Sequence, residues 1–167
     1  MNLEVLKKIA SFVFLVFVQI IIFNQMNIFG YVNPMVYILF LVMYPFNENK
    51  TLYIFLGFML GFFLDFLSRS GGSHTIASLS ISFLRPIIIR YSYGLTSELP
   101  QSFQTDPRKT SRFMFLLAFV GIHHLIYFSI IYFSLDAFLL IIKNSLLTSI
   151  FSLILILLIS SLYRVKK

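Results

Sequence analysis

The chain has 167 residues, of which 59% are hydrophobic and only 11% are charged, and its mean hydropathy is +0.91. A soluble domain carries about 25% charged residues, so this composition excludes a water-soluble globular protein and indicates one surrounded largely by lipid. The net charge of +7 would suggest a nucleic-acid partner in a soluble protein. Here it is better explained by basic flanks that face anionic lipid. Because cysteine is absent, disulfides and thiolate metal sites are excluded.

Apolar runs separated by polar breaks predict an all-α fold of six membrane-spanning helices, in one integral membrane domain covering residues 1–167. The first run follows Lys7 and Lys8 without a cleavage site, so we expect it to be retained as a helix. The predicted spans are Ile9–Phe23, Pro34–Phe46, Leu52–Ser68, His74–Arg90, Phe113–Ser134 and a sixth that ends near Leu162.

Two of these predicted spans are uncertain, so a protein with five membrane crossings is the main alternative. The second, Pro34–Phe46, is short for a full crossing and could be partly re-entrant, and Asp136–Lys143 could lie along the surface before the sixth span begins. The basic residues favour six, because six spans place ten of the thirteen on the side of the N-terminus, as the positive-inside rule requires. Both termini are therefore predicted to be cytoplasmic. The ten are Lys7, Lys8, Lys50, Arg90, Arg108, Lys109, Arg112, Arg164, Lys166 and Lys167; Arg69 and Lys143 fall outside, and Arg85 lies within the fourth span.

The third span carries Gly57, Gly61 and Asp65, whose spacing of four places them on one face of the helix. Two glycines at this spacing allow another helix to approach closely, which predicts a site of helix packing or partner binding. Asp65 lies about one turn from the outer end. It could be a structural anchor that binds Ser68 or the amides of residues 71–73, a contact to a partner helix, or an ion- or proton-binding group.

A tight turn is predicted next, because Gly71 and Gly72 tolerate positive φ. Ser73 is predicted to cap the fourth helix. We expect His74 to be an interfacial polar residue, with a pH-sensitive ligand as the alternative. The predicted packing or partner-binding set is Gly57, Gly61, Asp65, Ser68, Gly71, Gly72 and His74.

Three further features have weaker functional interpretations. Arg85 precedes Pro86, which should bend the fourth helix, and it is expected to snorkel to the inner surface, with a functional role as the alternative. His123 and His124 point about 100° apart on a helix, so interhelical hydrogen bonding is favoured over a metal or haem. The inner loop Tyr91–Arg112 is either a connector with a basic flank or a docking surface for a cytoplasmic protein.

The sequence lacks a supported Ser-His-Asp set, a phosphate-binding loop and a metal-ligand cluster. We therefore predict a protein that is not an enzyme and that uses neither a cofactor nor a metal.

Several features together resemble the MreD family of rod shape-determining membrane proteins. They are the basic start, the turn containing Gly30 and Asn33-Pro34, and the run Gly57-x-x-x-Gly61-x-x-x-Asp65-x-x-Ser68 followed by a glycine turn and His74. Length and span number agree as well, so the similarity covers nearly the whole chain. Many members carry an acidic residue after the proline of the first turn, where this chain has Met35.

The resemblance implies a non-enzymatic scaffold of cell elongation and peptidoglycan synthesis in the bacterial cytoplasmic membrane. Its implied partners are the bitopic protein MreC, the RodA glycosyltransferase with its penicillin-binding transpeptidase, and, indirectly, the actin-like MreB filament. The family is also similar in architecture to the substrate-binding membrane subunits of energy-coupling-factor vitamin transporters. The alternative function is accordingly a small transporter or such a subunit, with Asp65, His74 and Arg85 lining a pocket.

Overall fold

The computed structural model describes residues 3–28, 30, 32–94 and 101–162, without the side chain of residue 4. Within these residues there are six α-helices and no β-strand, which confirms the all-α prediction. The predicted features at residues 95–100 and the basic residues at 164, 166 and 167 lie outside the described residues. The helices are α1 (Leu3–Ile21), α2 (Ile38–Met43), α3 (Lys50–Ser68), α4 (Ser73–Tyr93), α5 (Lys109–Tyr132) and α6 (Phe138–Leu162).

Four of the helices, α1, α3, α5 and α6, are long and apolar enough to cross a membrane. At 1.5 Å per residue, helices of this length reach about 30 Å, the thickness of a bilayer core. α4 is also long, with 21 residues, but its serines and arginines make it more polar. The chain is therefore a multi-pass membrane protein. α6 is helical from Phe138 onward, so residues 138–143 belong to the sixth helix and do not form a separate surface segment.

Contacts between the connections show that the chain reverses direction at each one. At one end, which we call the glycine-turn end, the end of α1 meets the α3–α4 turn, where Nδ2 of Asn24 donates to Oγ of Ser68 at 2.9 Å. At the other, the basic end, Lys8 of α1 pairs with Glu48. There the amide of Phe46 also donates to the carbonyl of Gln101 at 2.8 Å. The last turns of α6 line a groove with Phe103 at the basic end, so α1 starts and α6 finishes on the same side.

The second pass, by which we mean residues 32–46, is mostly not helical. α2 has only six residues, and five of them, Ile38–Val42, are buried. The preceding residues 32–37 have no regular helix, yet all are buried except Asn33, which is partly exposed. Irregular backbone is tolerated at membrane depth only where protein surrounds it. The short second span is therefore an interior segment enclosed by the longer helices, which explains why its apolar run is too short for a lipid-facing helix.

The two glycines of the third span pack against α4 of the same chain. A Cβ at Gly61 would lie 2.4 Å from Cα of Thr75 and 2.5 Å from the carbonyl oxygen of His74. A Cβ at Gly57 would lie 2.2 Å from Oγ of Ser82. A neighbouring helix of the same molecule therefore already occupies this face.

Alanine substitutions at three helical glycines should change the stability of the protein to different extents, depending on which atoms each new methyl group contacts. Gly61→Ala should destabilise the protein most, by about 2–4 kcal/mol, because the backbone of α4 would have to move. Gly57→Ala should cost less, since the Ser82 hydroxyl can rotate away. Gly121→Ala in α5 is the matched control, because its Cβ meets nothing within 4 Å and alanine favours helix by about 1 kcal/mol. Unfolding free energies in mixed micelles check the ranking, which equal losses at Gly61 and Gly121 would contradict.

Candidate functional site

Asp65 caps the first turn of α4 from across the glycine turn. Its Oδ1 accepts the amide of His74 at 3.1 Å and the Ser70 hydroxyl at 2.5 Å. Its Oδ2 accepts the amide of Thr75 at 2.7 Å and the Thr75 hydroxyl at 2.5 Å. The first amides of a helix have no partner within the helix, and a carboxylate also complements the positive end of the helix dipole. The structure therefore favours the anchor interpretation, although the partners are Ser70, His74 and Thr75 rather than Ser68 or the amides of residues 71–73.

The glycine turn has the backbone that its sequence predicts, but the predicted cap is wrong. Gly71 and Gly72 have φ of +69° and +94°. Ser73 does not cap α4: the residue before the helix is Gly72, and the Ser73 hydroxyl donates instead to the carbonyl of Ser70 at 3.1 Å. Because Asp65 already binds the free amides, the serine hydroxyl is left to close the turn.

His74 lies at the start of α4, as expected, and its side chain is buried within the protein. Its Nδ1 lies 2.9 Å from the hydroxyl of Tyr37, and the same hydroxyl lies 3.0 Å from Nε2 of His123. A tyrosine hydroxyl has one proton, so it donates to one of these rings and accepts from the other. Tyr37 therefore connects the second pass to α4 and α5 and makes the tautomers of the two histidines interdependent.

His124 makes a separate set of contacts toward α6. Its Nδ1 lies 2.8 Å from the carbonyl of Val120, and its Nε2 lies 3.1 Å from Oγ of Ser152. That Oγ accepts the backbone amide of Met35 at 2.9 Å. The two adjacent histidines thus bind different elements, as the interhelical interpretation predicts. Among the described residues, no group of three or more His, Asp or Glu side chains could hold a metal.

Gln19 supports the irregular part of the second pass. Its side-chain oxygen accepts the amide of Val36 at 2.8 Å, and its nitrogen donates to the carbonyl of Pro34 at 3.0 Å and to Asn24 at 2.9 Å. Asn24 in turn donates to Ser68, the predicted site residue at the end of α3. This amide chain supplies the backbone partners that residues 34–36 lack because they are not helical.

A partly open cavity of about 400 Å³ lies beside this network at the glycine-turn end. Of the three residues that the transporter alternative places in one pocket, His74 lines this cavity, whereas Asp65 and Arg85 do not. The polar walls come from the end of α1, the second pass and the end of α3. They include Gln19, Asn24, Gln25, Asn33, Ser68 and Ser70.

Arg85 lies toward the basic end and is only 5% exposed, so the snorkelling expectation is wrong. Its guanidinium donates to the carbonyls of Tyr44 and Pro45. It also lies over the ring of Tyr53, with 4.1 Å from Cζ to the ring centroid, and over Phe46 at 4.8 Å. The side chain stays inside because the end of the second pass offers carbonyls and aromatic faces that replace water. α4 continues through Pro86 to Tyr93.

The described part of the inner loop is fastened to the bundle. Burial would raise the pKa of the Asp106 carboxyl, but hydrogen bonds from the side chain and amide of Arg108 hold it below its usual value. Phe103 is buried against Phe115, with 6.1 Å between ring centroids. Residues 101–108 therefore form a fixed cover over the start of α5, which favours the connector interpretation for this part.

Sequence reasoning missed Tyr37, Gln19 and Ser152. Gln19 is a polar residue within an otherwise apolar first span, and that isolation is a usable signal for an interhelical contact. Tyr37 gave no such signal, because tyrosine fits an apolar run. Ser152 is one of several serines in the sixth span, and nothing in its spacing distinguishes it.

The chain matches no family model, no curated protein and no solved structure. The case for a function therefore rests on its own residues and their geometry.

Removing the Asp65 carboxylate should open the α3–α4 turn. We expect Asp65→Ala to lower the unfolding free energy by about 2–3 kcal/mol, because two backbone amides and two hydroxyls lose a charged acceptor. The unfolding free energy of Asp65→Asn should lie between those of the wild type and Asp65→Ala, since one acceptor oxygen remains. Asp136→Ala is the control, as that residue is exposed beside the α5–α6 turn. A loss at position 65 no larger than at position 136 would contradict the capping role.

Tyr37→Phe should remove the hydroxyl shared by the two histidines while keeping the ring. We expect a loss of about 2–4 kcal/mol, because two buried ring nitrogens lose their partner at once. Tyr91→Phe is the matched control, since Tyr91 is 85% exposed. The measurement is the thermal unfolding midpoint of each of the two variants in the same detergent. Indistinguishable midpoints would show that the shared hydroxyl does not hold the network.

Proposed function

We propose that this protein is a non-enzymatic membrane scaffold of the bacterial cell-elongation machinery, similar to the MreD family. The observation that supports this most is that the motif residues behind the resemblance act as one unit. Gly61 lets α4 approach, Asp65 caps it, Gly71 and Gly72 make the turn, and His74 follows as the second residue of α4. The part of the sequence that resembles the family most therefore has a specific structural task, the tight packing and capping of the α3–α4 hairpin.

The hydrogen bonds that Asp65 accepts support a structural role over an ion-transport role. Both of its oxygens accept hydrogen bonds from the protein, four in total. A carboxylate that binds and releases an ion or proton needs accessible lone pairs in one of its states. Here those lone pairs hold the start of α4, and releasing them would free the amides of a helix end.

We propose that the basic end faces the cytoplasm. Seven described basic residues lie on or next to this end, whereas Arg69 and Lys143 lie toward the opposite end, a bias that follows the positive-inside rule. The seven are Lys7, Lys8, Lys50, Arg90, Arg108, Lys109 and Arg112. The glycine-turn end would then face the outside of the cytoplasmic membrane.

A partner helix has to bind somewhere other than the glycine face, because α4 already covers Gly57 and Gly61. We place it on α1, the least covered of the four apolar helices. Only 17% of its most apolar stretch is buried, compared with 28% for α3 and 39% for α5 and for α6. The face of α1 that points away from the other helices carries Phe14 and Phe17, which are 63% and 53% exposed. The proposed occupant is the single membrane helix of an MreC-like bitopic protein.

The first experiment is a pull-down of the tagged protein from its native membrane in mild detergent, with partners identified by mass spectrometry. Recovery of an MreC-like protein, a RodA-type glycosyltransferase or a penicillin-binding transpeptidase is the expected result, and an MreB-like filament protein should be recovered only through them. Recovery of an ATP-binding-cassette module without cell-wall proteins would instead identify a transporter subunit.

Cysteine cross-linking then tests the contact surface, and the cysteine-free chain needs no background mutations. Phe14→Cys on α1 and Phe83→Cys on α4 are matched, being lipid-facing aromatic positions that are 63% and 58% exposed. With single cysteines placed along the partner's membrane helix, disulfides should form with position 14 and not with position 83. The reverse pattern would move the partner to α4, and capture at neither position would remove it from both helices.

A further inference from the structure

A groove of about 210 Å³ lies at the basic end, between the start of α5 and the last turns of α6. We call it the basic groove. Its lining includes Lys109 and Arg112 from α5, Ser160 and Ser161 from α6, and Phe103 from the preceding loop. The volume is below the roughly 300–1,000 Å³ of pockets that enclose a whole drug-sized molecule, and the groove is partly open. It therefore suits one end of a larger molecule.

The basic groove is positively charged. Lys109 and Arg112 line it, and no Asp or Glu does so among the described residues. Residues 106–112 hold three cations and one carboxylate, Asp106, which is buried and paired with Arg108. Lys109 is exposed and makes neither a hydrogen bond nor an ion pair within the described part of the chain. The groove therefore favours an anionic ligand.

An aromatic ring positions one of the two cations. Arg112 lies over the ring of Phe103, with 4.7 Å from its Cζ to the ring centroid. This contact fixes the guanidinium without using a hydrogen-bond acceptor, and a guanidinium can donate two parallel N–H groups to a phosphate. The hydroxyls of Ser160 and Ser161 already donate to carbonyls of α6. Recognition of an anion in the groove therefore depends on Arg112 and Lys109.

Apolar side chains line the part of the groove that lies farther from the basic end. Because α5 begins at that end and α6 finishes there, Phe113 lies about 6 Å deeper along its helix than Lys109, and Leu157 lies about 6 Å deeper than Ser161. Phe113 is 46% exposed and Leu157 is 39% exposed. A phosphate at the cations would therefore have exposed apolar surface beneath it, which an acyl chain can cover and a soluble phosphate cannot.

We propose that the basic groove binds the headgroup of an anionic phospholipid from the leaflet at the basic end. The phosphate contacts Lys109 and Arg112, and the first part of an acyl chain contacts Phe113 and Leu157. Basic pockets between membrane helices are known to bind anionic headgroups. This inference does not depend on the scaffold role, because it rests on the groove alone.

The test is native mass spectrometry of the full-length protein in mild detergent, titrated with phosphatidylglycerol, which carries a net negative charge. Phosphatidylethanolamine with the same acyl chains is the zwitterionic comparison, and glycerol phosphate is the soluble one. We expect phosphatidylglycerol to bind about tenfold more tightly than phosphatidylethanolamine, or more, and an excess of glycerol phosphate not to displace it. Equal binding of the two lipids, or displacement by glycerol phosphate, would overturn the proposal.

Two double variants locate the binding. Lys109→Gln with Arg112→Gln removes both cations of the groove, whereas Lys50→Gln with Arg90→Gln removes one lysine and one arginine that are exposed at the same end. The groove variant should bind phosphatidylglycerol more weakly by about tenfold or more, since each basic residue near anionic lipid adds to the affinity. The control should stay within about twofold of the wild type. Equal losses would show a general attraction of the basic end for lipid and refute the site.

Lys109→Gln alone keeps the test valid if loss of the contact between Arg112 and Phe103 unfolds the protein. The Lys109 side chain is exposed and has no described partner, so its replacement should leave the fold intact and weaken phosphatidylglycerol binding by about fivefold. Lys50→Gln is its control. The basic residues that follow α6 in the sequence stay in every variant, so they do not contribute to the differences; they are Arg164, Lys166 and Lys167. Equal affinities of Lys109→Gln and Lys50→Gln would place the lipid elsewhere.

Discussion

The close approach of α3 and α4 at Gly61 determines where the polar groups of the glycine-turn end lie. A methyl group there would stand 2.4 Å from Cα of Thr75. Without that approach, the Asp65 carboxylate could not reach the amides of His74 and Thr75. A helix whose first residues are buried needs such a partner, because water cannot satisfy its first amides. Fixing the first turn of α4 also fixes His74, and with it the hydrogen bond to Tyr37.

The interior second pass faces the same requirement and meets it differently. Residues 34–36 have no helical hydrogen bonds, so side chains from outside the segment supply them. Gln19 binds Pro34 and Val36, and Ser152 accepts the amide of Met35. Gln19 in the apolar first span and Ser152 in the sixth therefore act as backbone partners for a segment without regular helix. This gives a physical reason for a glutamine at full burial within a helix whose other face contacts lipid.

The sequence was sufficient to predict structural features that depend only on residues close together in the chain. Spacing by four placed Gly57, Gly61 and Asp65 on one face, and the Gly71-Gly72 pair implied a positive-φ turn. It was insufficient where a residue from elsewhere in the chain changed the outcome. Ser73 follows the local rule for a cap, but a carboxylate from α3 took that place.

The same limit explains the error at Arg85 and the unforeseen burial of His74. Arg85 was close enough to the surface to reach water, yet the end of the second pass offers it two carbonyls and two aromatic rings. His74 follows a polar turn, yet its ring is buried and contacts the hydroxyl of Tyr37. Both depend on the path of the second pass, whose irregular backbone gives no periodic signal in the sequence.

The two ends of the bundle are held by different chemistry, and this bears on how each can interact. At the basic end, a partly exposed ion pair joins Lys8 of α1 to Glu48 in the connection before α3. Such pairs contribute about 0–1 kcal/mol each and weaken with salt, so they can exchange for anionic lipid or a charged partner at little cost. At the glycine-turn end, neutral amides and hydroxyls are joined in a buried network, in which losing one partner leaves another unsatisfied. That end is therefore suited to a fixed binding geometry, and the basic end to adaptable contacts.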